Sequence, residues 1–357
     1  MATNPHQHLL ALNPLEIPVS HSNQEEEMSY KSVIVTKRGG PEVLQVIDND
    51  LREPTGGEVR IGILATPVCQ DDIAVRLGNR PFLPKIPFVP GYSILGVVDD
   101  IDEGVTKVAL GDRVAALTNF GGYAEYVYLD QDQLVHVPTT LDPAEAAVLI
   151  LNYLVAYQVL HRAAQVKPGD KVLIVGASGG VGTASLQLGK LAHLTMYGIA
   201  SRRKHSALTD LGAIPIDYHT QDFVEVLRQA EPEGLDFVFN GMGEEYFERG
   251  LAALRRGGVL VHYGGPQSFS RFLLLMAKLI LYNVLPNGKA IKGYGTHRVD
   301  NRLLKEDWAE LFKLLEEGQI RPIIAAKFPI LQAARANELL ESGHVTGNVV
   351  LLAPELL

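Results

Sequence analysis

The sequence contains a single cysteine, Cys69, among its 357 residues. One thiol excludes an internal disulfide framework, and it also excludes a structural zinc site built from four cysteines. So little cysteine is typical of a reducing compartment, and we therefore expect a cytoplasmic protein.

The sequence also lacks an excess of positive charge. Its 32 Lys and Arg residues are outnumbered by 41 Asp and Glu residues, which gives a formal net charge of −9. The basic residues form no long block, so we do not expect nucleic acid as the main partner.

No apolar run is long enough to predict a transmembrane segment. The most apolar stretch, residues 272–285, reads FLLLMAKLILYNVL and contains Lys278 and Asn283. It is shorter than the roughly 20 residues that span a bilayer, so we expect a buried or dimer-facing helix, with a membrane-touching surface as the alternative. Residues 1–27 lack the basic and apolar regions of a secretory signal and are predicted to be a disordered extension, with Met28 starting the folded part.

The patterns of strands and helices divide the folded part into two domains. Residues 28–151 contain short β-type runs such as SVIVTK and ILGVVDDI between Gly and Pro residues, which is typical of a small β-barrel. In residues 152–320, short apolar strands alternate with helical patterns, which indicates an α/β domain with a doubly wound parallel sheet. Residues 321–357 end in the strand-like NVVLL and are expected to return to the first domain.

The individual elements of the second domain follow from the same patterns. The predicted strands are residues 171–175, 195–199, 237–240 and 259–263, and the predicted helices are residues 183–191, 205–211, 246–254 and 301–317. In the last of these helices, Trp308 and its leucine neighbours form one apolar stripe, which is expected to be core.

Residues 171–182, KVLIVGASGGVG, read as a phosphate-binding loop. Three glycines, Gly176, Gly179 and Gly182, follow an apolar strand immediately and open a helix, as in the dinucleotide-binding fingerprint of the Rossmann fold. The helix N-terminus provides free N–H groups for a pyrophosphate, and Ser178 adds a hydroxyl. The alternative is a Gly-rich turn that only reverses the chain.

The segment after the second strand indicates which dinucleotide is bound. An NAD site has an acidic residue there for the ribose 2′-hydroxyl, whereas this chain has Ser201, Arg202, Arg203 and Lys204. Guanidinium groups pair with a 2′-phosphate, so this segment predicts NADPH. The alternative is a solvated run of charge at the start of a helix.

Several segments resemble one known superfamily. The loop GASGGVG, the opening KRGGPEVLQV, the segment FVPGYSILGVV and the ending GHVTGNVVLL are similar to the medium-chain dehydrogenases/reductases, and particularly to their quinone oxidoreductases. The segment NYLVAY resembles the branch that includes the vesicle amine transport protein. The resemblance implies a Rossmann NADPH-binding domain, a GroES-like catalytic domain and a homodimer.

Many members of this superfamily bind catalytic zinc, and the matching positions of this chain do not predict a zinc site. Cys69 of VCQDDI stands at the first ligand position, but Gly91-Tyr92-Ser93 replaces the histidine segment and no cysteine is found near NYLVAY. A catalytic zinc needs three protein ligands, so we expect no metal. Without a Lewis acid, hydride transfer to a quinone or an α,β-unsaturated carbonyl is favoured over alcohol chemistry.

The resemblance also implies functional residues, position by position. The catalytic candidates are Cys69, Asp72 and Tyr92, and the substrate-binding candidates are Asn79 and Asn152. Phe82, Phe88 and Ile150 are placed as apolar lining of the acceptor site. The cofactor-binding candidates are Ser178, Gly179, Gly180, Val181, Ser201, Arg202, Arg203, Tyr218, Asn240, Gly241, Tyr263, Gly264, Gly265, Gly293, Tyr294 and Asn348.

Other interpretations of these residues and of the chain are open at this point. Asp72 is alternatively a residue of the domain interface, Cys69 a small buried hydrophobe, and Tyr92 a filler of the space left by the missing ligand. The expected function is an NADPH-dependent, zinc-free reductase of quinones or α,β-unsaturated carbonyls with a small apolar substrate. The alternatives are a non-enzymatic cofactor-binding protein with a lipid or membrane partner, and an NAD-linked alcohol dehydrogenase.

Overall fold

The computed structural model describes Met1 and residues 29–284, 288–296 and 299–357. The extension predicted for residues 1–27, the start at Met28 and the last residue of the apolar stretch, Leu285, lie outside the described residues apart from Met1. All statements below concern the described part of the chain.

The described residues contain fifteen strands in three sheets. They are β1 Ser29–Val35, β2 Leu44–Asp50, β3 Glu58–Val68, β4 Ser93–Ile101, β5 Arg113–Leu117, β6 Tyr126–Asp130, β7 Val135–His136, β8 Lys171–Val175, β9 Thr195–Ala200, β10 Ala213–Asp217, β11 Leu235–Asn240, β12 Leu254–His262, β13 Ala290–Gly293, β14 Ile324–Pro329 and β15 Asn348–Leu352.

The same residues contain ten α-helical segments. They are α1 Gln70–Leu77, α2 Pro143–Val148, α3 Leu154–Tyr157, α4 Gly180–Leu191, α5 His205–Asp210, α6 Phe223–Ala230, α7 Phe247–Ala253, α8 Phe269–Val284, α9 Asn301–Glu316 and α10 Ala333–Glu341.

The first domain is a GroES-like β unit that includes the end of the chain. Its main sheet has seven strands in the order β14-β15-β3-β4-β5-β7, with β6 paired to β3, and β1 and β2 form a separate hairpin. Along β3, Val59, Ile61 and Ile63 are buried while the residues between them are partly exposed. This alternation is the period of two that places one face of a strand on a core. Strand β15, near the end of the chain, pairs with β14 and β3 of this sheet.

The second domain is a doubly wound Rossmann unit. Its six strands run parallel in the order β10-β9-β8-β11-β12-β13. The central strand β8 is almost wholly buried, as expected when helices cover both faces of a parallel sheet. The four strands predicted here are present. The edge strands β10 and β13 are two that the sequence patterns did not predict.

A continuous helix, residues Pro143–Ala164, connects the two domains. Its N-terminus is capped by Asp142, whose carboxylate accepts hydrogen bonds from the backbone N–H groups of Ala144 (2.9 Å) and Glu145 (3.0 Å). By length and composition this helix could cross a membrane, but 83% of its most apolar window is buried inside the protein. It is therefore a core helix, and it runs without interruption through the predicted domain boundary between residues 151 and 152.

A buried polar network fixes this core helix against α9. The side-chain amide nitrogen of Gln158, Nε2, donates to Asp307 Oδ2 at 2.7 Å, and Arg162 Nη2 donates to Asp307 Oδ1 at 2.7 Å. Gln158 Oε1 in turn accepts a hydrogen bond from the hydroxyl of Tyr294 at 2.6 Å. Gln158 is 0% exposed and Asp307 is 1% exposed, so the amide N–H of Gln158 depends on Asp307 for its acceptor.

We expect Asp307→Ala to lower the free energy of unfolding by about 1–3 kcal/mol, because it leaves a buried amide without an acceptor. Asp307→Asn keeps an acceptor oxygen for Gln158 and is expected to have a smaller effect. Urea denaturation of both variants measures the difference, and equal losses would contradict this role of the network.

Candidate functional site

The predicted phosphate loop lies between β8 and α4, at the carboxyl edge of the parallel sheet. Gly176 has a φ of +78°, and the helix begins at Gly180 with Gly179 as its N-cap. A Cβ atom at Gly182 would lie 2.3 Å from the carbonyl oxygen of Gly176. The turn therefore requires glycine. The first N–H groups of α4 have no acceptor within the helix, as a phosphate site needs.

The C-terminal segment of the first domain lies directly on this loop. The backbone N–H of Gly347 donates to the carbonyl of Ser178 at 2.9 Å. One residue further, the side chain of Asn348 accepts a hydrogen bond from Asn152 Nδ2 at 2.6 Å. Both asparagine side chains lie against Gly180, where a Cβ would be 2.4 Å from Asn152 and 2.5 Å from Asn348.

This contact shows where Asn152 lies. Asn152 was predicted to bind substrate, but the structure places it at the phosphate loop beside the predicted cofactor residues Gly180 and Asn348. It comes from the core helix, whose course the sequence patterns did not reveal.

The basic segment follows β9 at the same edge of the sheet. Arg202 and Arg203 are exposed, and Arg203 Nη2 donates to the carbonyl of Gly343 at 2.8 Å. Lys204 is partly buried, and its Nζ lies 2.6 Å from the carbonyl of Val345 and 3.3 Å from the hydroxyl of Ser178. Burial, with a contribution from Arg203, lowers the pKa of the Lys204 ammonium. Lys204 therefore contacts the loop directly, and it belongs to the basic segment predicted to bind NADPH.

Tyr218 directly follows β10, the strand next to β9 at the edge of the sheet. Its side chain is 48% exposed, and its ring packs on that of His219 with centroids 4.1 Å apart. An exposed aromatic ring of this kind is able to pack against an adenosine.

The ends of β11, β12 and β13 carry the remaining cofactor candidates. Asn240 closes a turn by accepting the N–H of Met242 (3.0 Å) and donating to the carbonyl of Gly243 (2.8 Å). Gly241, which follows, is covered by the ring of Tyr263. Ligands of open α/β sheets bind at this carboxyl edge. Several of the candidates also line the cleft described next, namely Tyr263, Gly264, Gly265, Gly293 and Tyr294.

A cleft of about 730 Å³ lies between the two domains and is lined mainly by apolar side chains. Phe82 and Phe88 line it as predicted. Ile150 does not, since it is 0% exposed inside the core helix, and its neighbour Leu151 faces the cleft instead. The size and apolar character suit a small apolar ligand.

Asn79, predicted to bind substrate, is exposed outside this cleft, and the next residue, Arg80, lines it. Arg80 Nε lies 2.7 Å from Asp71 Oδ1, and Arg80 Nη1 lies 3.4 Å from the carbonyl of Gly265. Arg80 therefore reaches from the first domain across to the end of β12.

The catalytic candidates Cys69 and Asp72 form one buried cluster at the start of α1. Asp72 Oδ2 accepts hydrogen bonds from the thiol of Cys69 (3.1 Å) and the hydroxyl of Tyr123 (3.1 Å), while Oδ1 accepts the N–H of Gly91 (3.0 Å). Burial raises the pKa of Asp72 to about 6, although these hydrogen bonds oppose the rise. Burial also raises the pKa of the Cys69 thiol well above its ordinary value. The cluster holds α1 against the segment that contains Tyr92.

Tyr92, the third catalytic candidate, lines the cleft. Its hydroxyl lies 3.4 Å from Thr296 Oγ1 of the second domain, and burial raises the pKa of the phenol. Two neutral hydroxyls thus face each other across the domain boundary.

The residues at the zinc positions do not fit a zinc centre. Within the described part of the chain, no three His, Cys, Asp or Glu side chains are grouped so that they could hold a metal ion.

Comparison with known proteins gives a consistent family. A profile described as "Zinc-binding dehydrogenase" matches residues 211–351, and one described as "Alcohol dehydrogenase GroES-like domain" matches residues 55–139. The Synaptic vesicle membrane protein VAT-1 homolog of Homo sapiens is 32% identical over 316 residues, which cover 84% of this chain and 80% of the relative.

Two quinone oxidoreductase comparisons cover almost the whole length of the known protein. Quinone oxidoreductase 1 of Escherichia coli (strain K12) is 30% identical over 325 residues, or 88% of this chain and 97% of the relative. The crystal structure of Escherichia coli quinone oxidoreductase complexed with NADPH superposes with a TM-score of 0.81 at 27% identity, covering 90% of this chain and 99% of that one. These matches confirm the resemblance and the two-domain fold class: the chain belongs to the quinone oxidoreductase-like family of medium-chain dehydrogenases/reductases, together with the VAT-1 homologues.

Proposed function

We propose that this chain is an NADPH-dependent reductase that transfers hydride to a quinone or an α,β-unsaturated carbonyl without zinc. The observation that carries the proposal is the cationic corner beside the phosphate loop, formed by Arg202, Arg203 and Lys204. No acidic residue interrupts this segment after β9, and Lys204 is held against Ser178 of the loop. A carboxylate there would repel a 2′-phosphate, whereas these cations attract it.

In this proposal the phosphate loop binds the cofactor, and the cleft holds the acceptor. NADPH, when bound, supplies the hydride. The first N–H groups of α4 bind its pyrophosphate, and the ends of β12 and β13 hold its nicotinamide half beside the cleft. The apolar cleft walls bind the acceptor and exclude water, so the partners meet in one orientation. The hydroxyls of Tyr92 and Thr296 are positioned to donate a hydrogen bond to the acceptor.

The absence of a zinc ligand set within the described residues supports an acceptor that needs no Lewis acid. A quinone or an enone carries the arriving charge on its own oxygen. The alternative of an NAD-linked alcohol dehydrogenase receives less support, because its substrate requires a polarising group.

One observation favours a second candidate function, a lipid or membrane partner with the cofactor fold retained. Helix α8 lines the cleft with one side and exposes apolar side chains on another: Leu273 is 53% exposed, Ile280 is 68% exposed and Val284 is 77% exposed.

The exposed apolar face of α8 also supports the homodimer that we propose, since α8 lies beside β13, the edge strand of the parallel sheet. A cytoplasmic location remains part of the proposal.

We expect Arg202→Glu to raise the Kd for NADPH at least tenfold and to leave the Kd for NADH within about threefold. The reason is that a charge-assisted hydrogen bond contributes roughly 1.5–3 kcal/mol and is made only to the 2′-phosphate. Isothermal titration with both cofactors measures the two values. Lys190→Glu, an exposed change in the last turn of α4, is the matched control, and an equal effect of Arg202→Glu on both cofactors would contradict the assignment.

We expect the purified protein to oxidise NADPH with members of a panel of quinones and enones, and to keep its rate after dialysis against a chelator. Tight NADPH binding without turnover of any acceptor would favour the lipid or membrane function. A rate that falls on chelation and returns with added zinc would contradict the zinc-free mechanism.

A further inference from the structure

His262 is a buried histidine in the wall of the cleft. It is the last residue of β12, directly before Tyr263 and Gly264, and its side chain is on the side of the sheet that faces α7 and α8. Its ring meets that of Phe247 edge-on, with centroids 5.9 Å apart at 73°. The residue is 4% exposed, and what remains exposed lines the cleft.

The Nδ1 atom of His262 is buried and makes no hydrogen bond. A buried polar atom without a partner destabilises a protein by about 1–3 kcal/mol, so a native one calls for an explanation. Five residues of the described chain have such atoms in their side chains, and the other four lie away from the cleft: Arg76, Ser93, Arg113 and Tyr153. Among the described residues, only His262 combines such an atom with a place in the cleft wall. Because Nδ1 is covered, Nε2 is the ring nitrogen that a ligand in the cleft can reach, and it has no protein partner.

Other polar side chains of the cleft are already bound to the protein. The guanidinium of Arg80 is paired with Asp71, the hydroxyl of Tyr294 donates to Gln158, and the hydroxyl of Thr118 donates to the carbonyl of Gly91 at 2.7 Å. His262 therefore has hydrogen-bonding capacity that these groups lack.

Burial lowers the pKa of His262, against the opposing effect of the nearby Asn240 and Gly264 backbones. The imidazole is then neutral at pH 7, with one N–H donor. A neutral donor in an apolar pocket stabilises a developing oxyanion without the cost of burying a charge.

We propose that His262 contacts the acceptor and donates a hydrogen bond to the carbonyl oxygen that becomes negatively charged. The inference rests on the proposed function. The hydride brings two electrons to the acceptor carbon and forms a new C–H bond, which oxidises the nicotinamide. The displaced π electrons move to the oxygen, and the imidazole N–H donates a hydrogen bond to this oxygen. Water supplies the proton that completes the reduction.

Three variants test this role in steady-state kinetics with NADPH and the best enone of the panel. His262→Phe keeps a ring but has no donor, and we expect kcat to fall about 100-fold, as for the loss of one oxyanion donor elsewhere. His262→Gln keeps an N–H donor, and we expect its kcat to fall less than that of His262→Phe. His161→Gln, a partly buried histidine outside the cleft, should leave kcat within about twofold. The Kd for NADPH should be unchanged in all three.

A second readout does not depend on turnover. 4-Nitrophenolate carries its charge on one oxygen, like the product of hydride addition, and its absorbance reports binding. We expect His262→Phe to weaken its binding about tenfold and His262→Gln to weaken it less.

The outcomes separate this inference from the proposed function. If the wild type reduces no acceptor, the proposed function is wrong. If the wild type turns over but His262→Phe and His262→Gln match it in kcat, the role of His262 is wrong. Equal phenolate binding by the wild type and both variants, or binding by none, would also overturn it.

Discussion

The hydrogen bond from the Gly347 N–H to the Ser178 carbonyl joins the end of the first domain to the phosphate loop of the second. Gly347 has a φ of +86°, and a Cβ there would lie 2.3 Å from the carbonyl oxygen of Ile323, so only glycine allows the approach. The neighbouring contacts from Arg203 to Gly343 and from Lys204 to Val345 lie on the same seam. Residues of both domains therefore border the phosphate loop and line the cleft.

The two ends of the site differ in chemical character. At one end, cations lie beside a loop of free backbone N–H groups, which suits the phosphates of a dinucleotide. At the other end, the walls are mainly aromatic and aliphatic. The charged side chains Arg80 and Asp71 in these walls are paired with each other, and the neutral donors are the hydroxyls of Tyr92 and Thr296 and the imidazole of His262. Charge is therefore available for binding, whereas the reacting end is apolar with a few neutral donors, as expected for hydride transfer to an uncharged acceptor.

Features that depend on neighbouring residues could be predicted from the sequence, and those that depend on distant contacts could not. The phosphate loop and strand β8 follow from adjacent residues, and both lie where the patterns placed them. The position of Asn152 at the phosphate loop could not be predicted, because its partner Asn348 is 196 positions away. The sequence placed Lys204 in a basic run but could not show its contacts with the loop and the C-terminal segment, and His262 at a strand end is ordinary until α7 and α8 are folded beside it.

The most direct test of this account is a crystal structure of the protein grown with NADPH. We predict the pyrophosphate on the N-terminus of α4, the 2′-phosphate within hydrogen-bonding distance of Lys204 or of the guanidinium groups of Arg202 and Arg203, and the nicotinamide at the ends of β12 and β13 beside the cleft. A 2′-phosphate directed into solvent, or a nicotinamide outside the cleft, would contradict it.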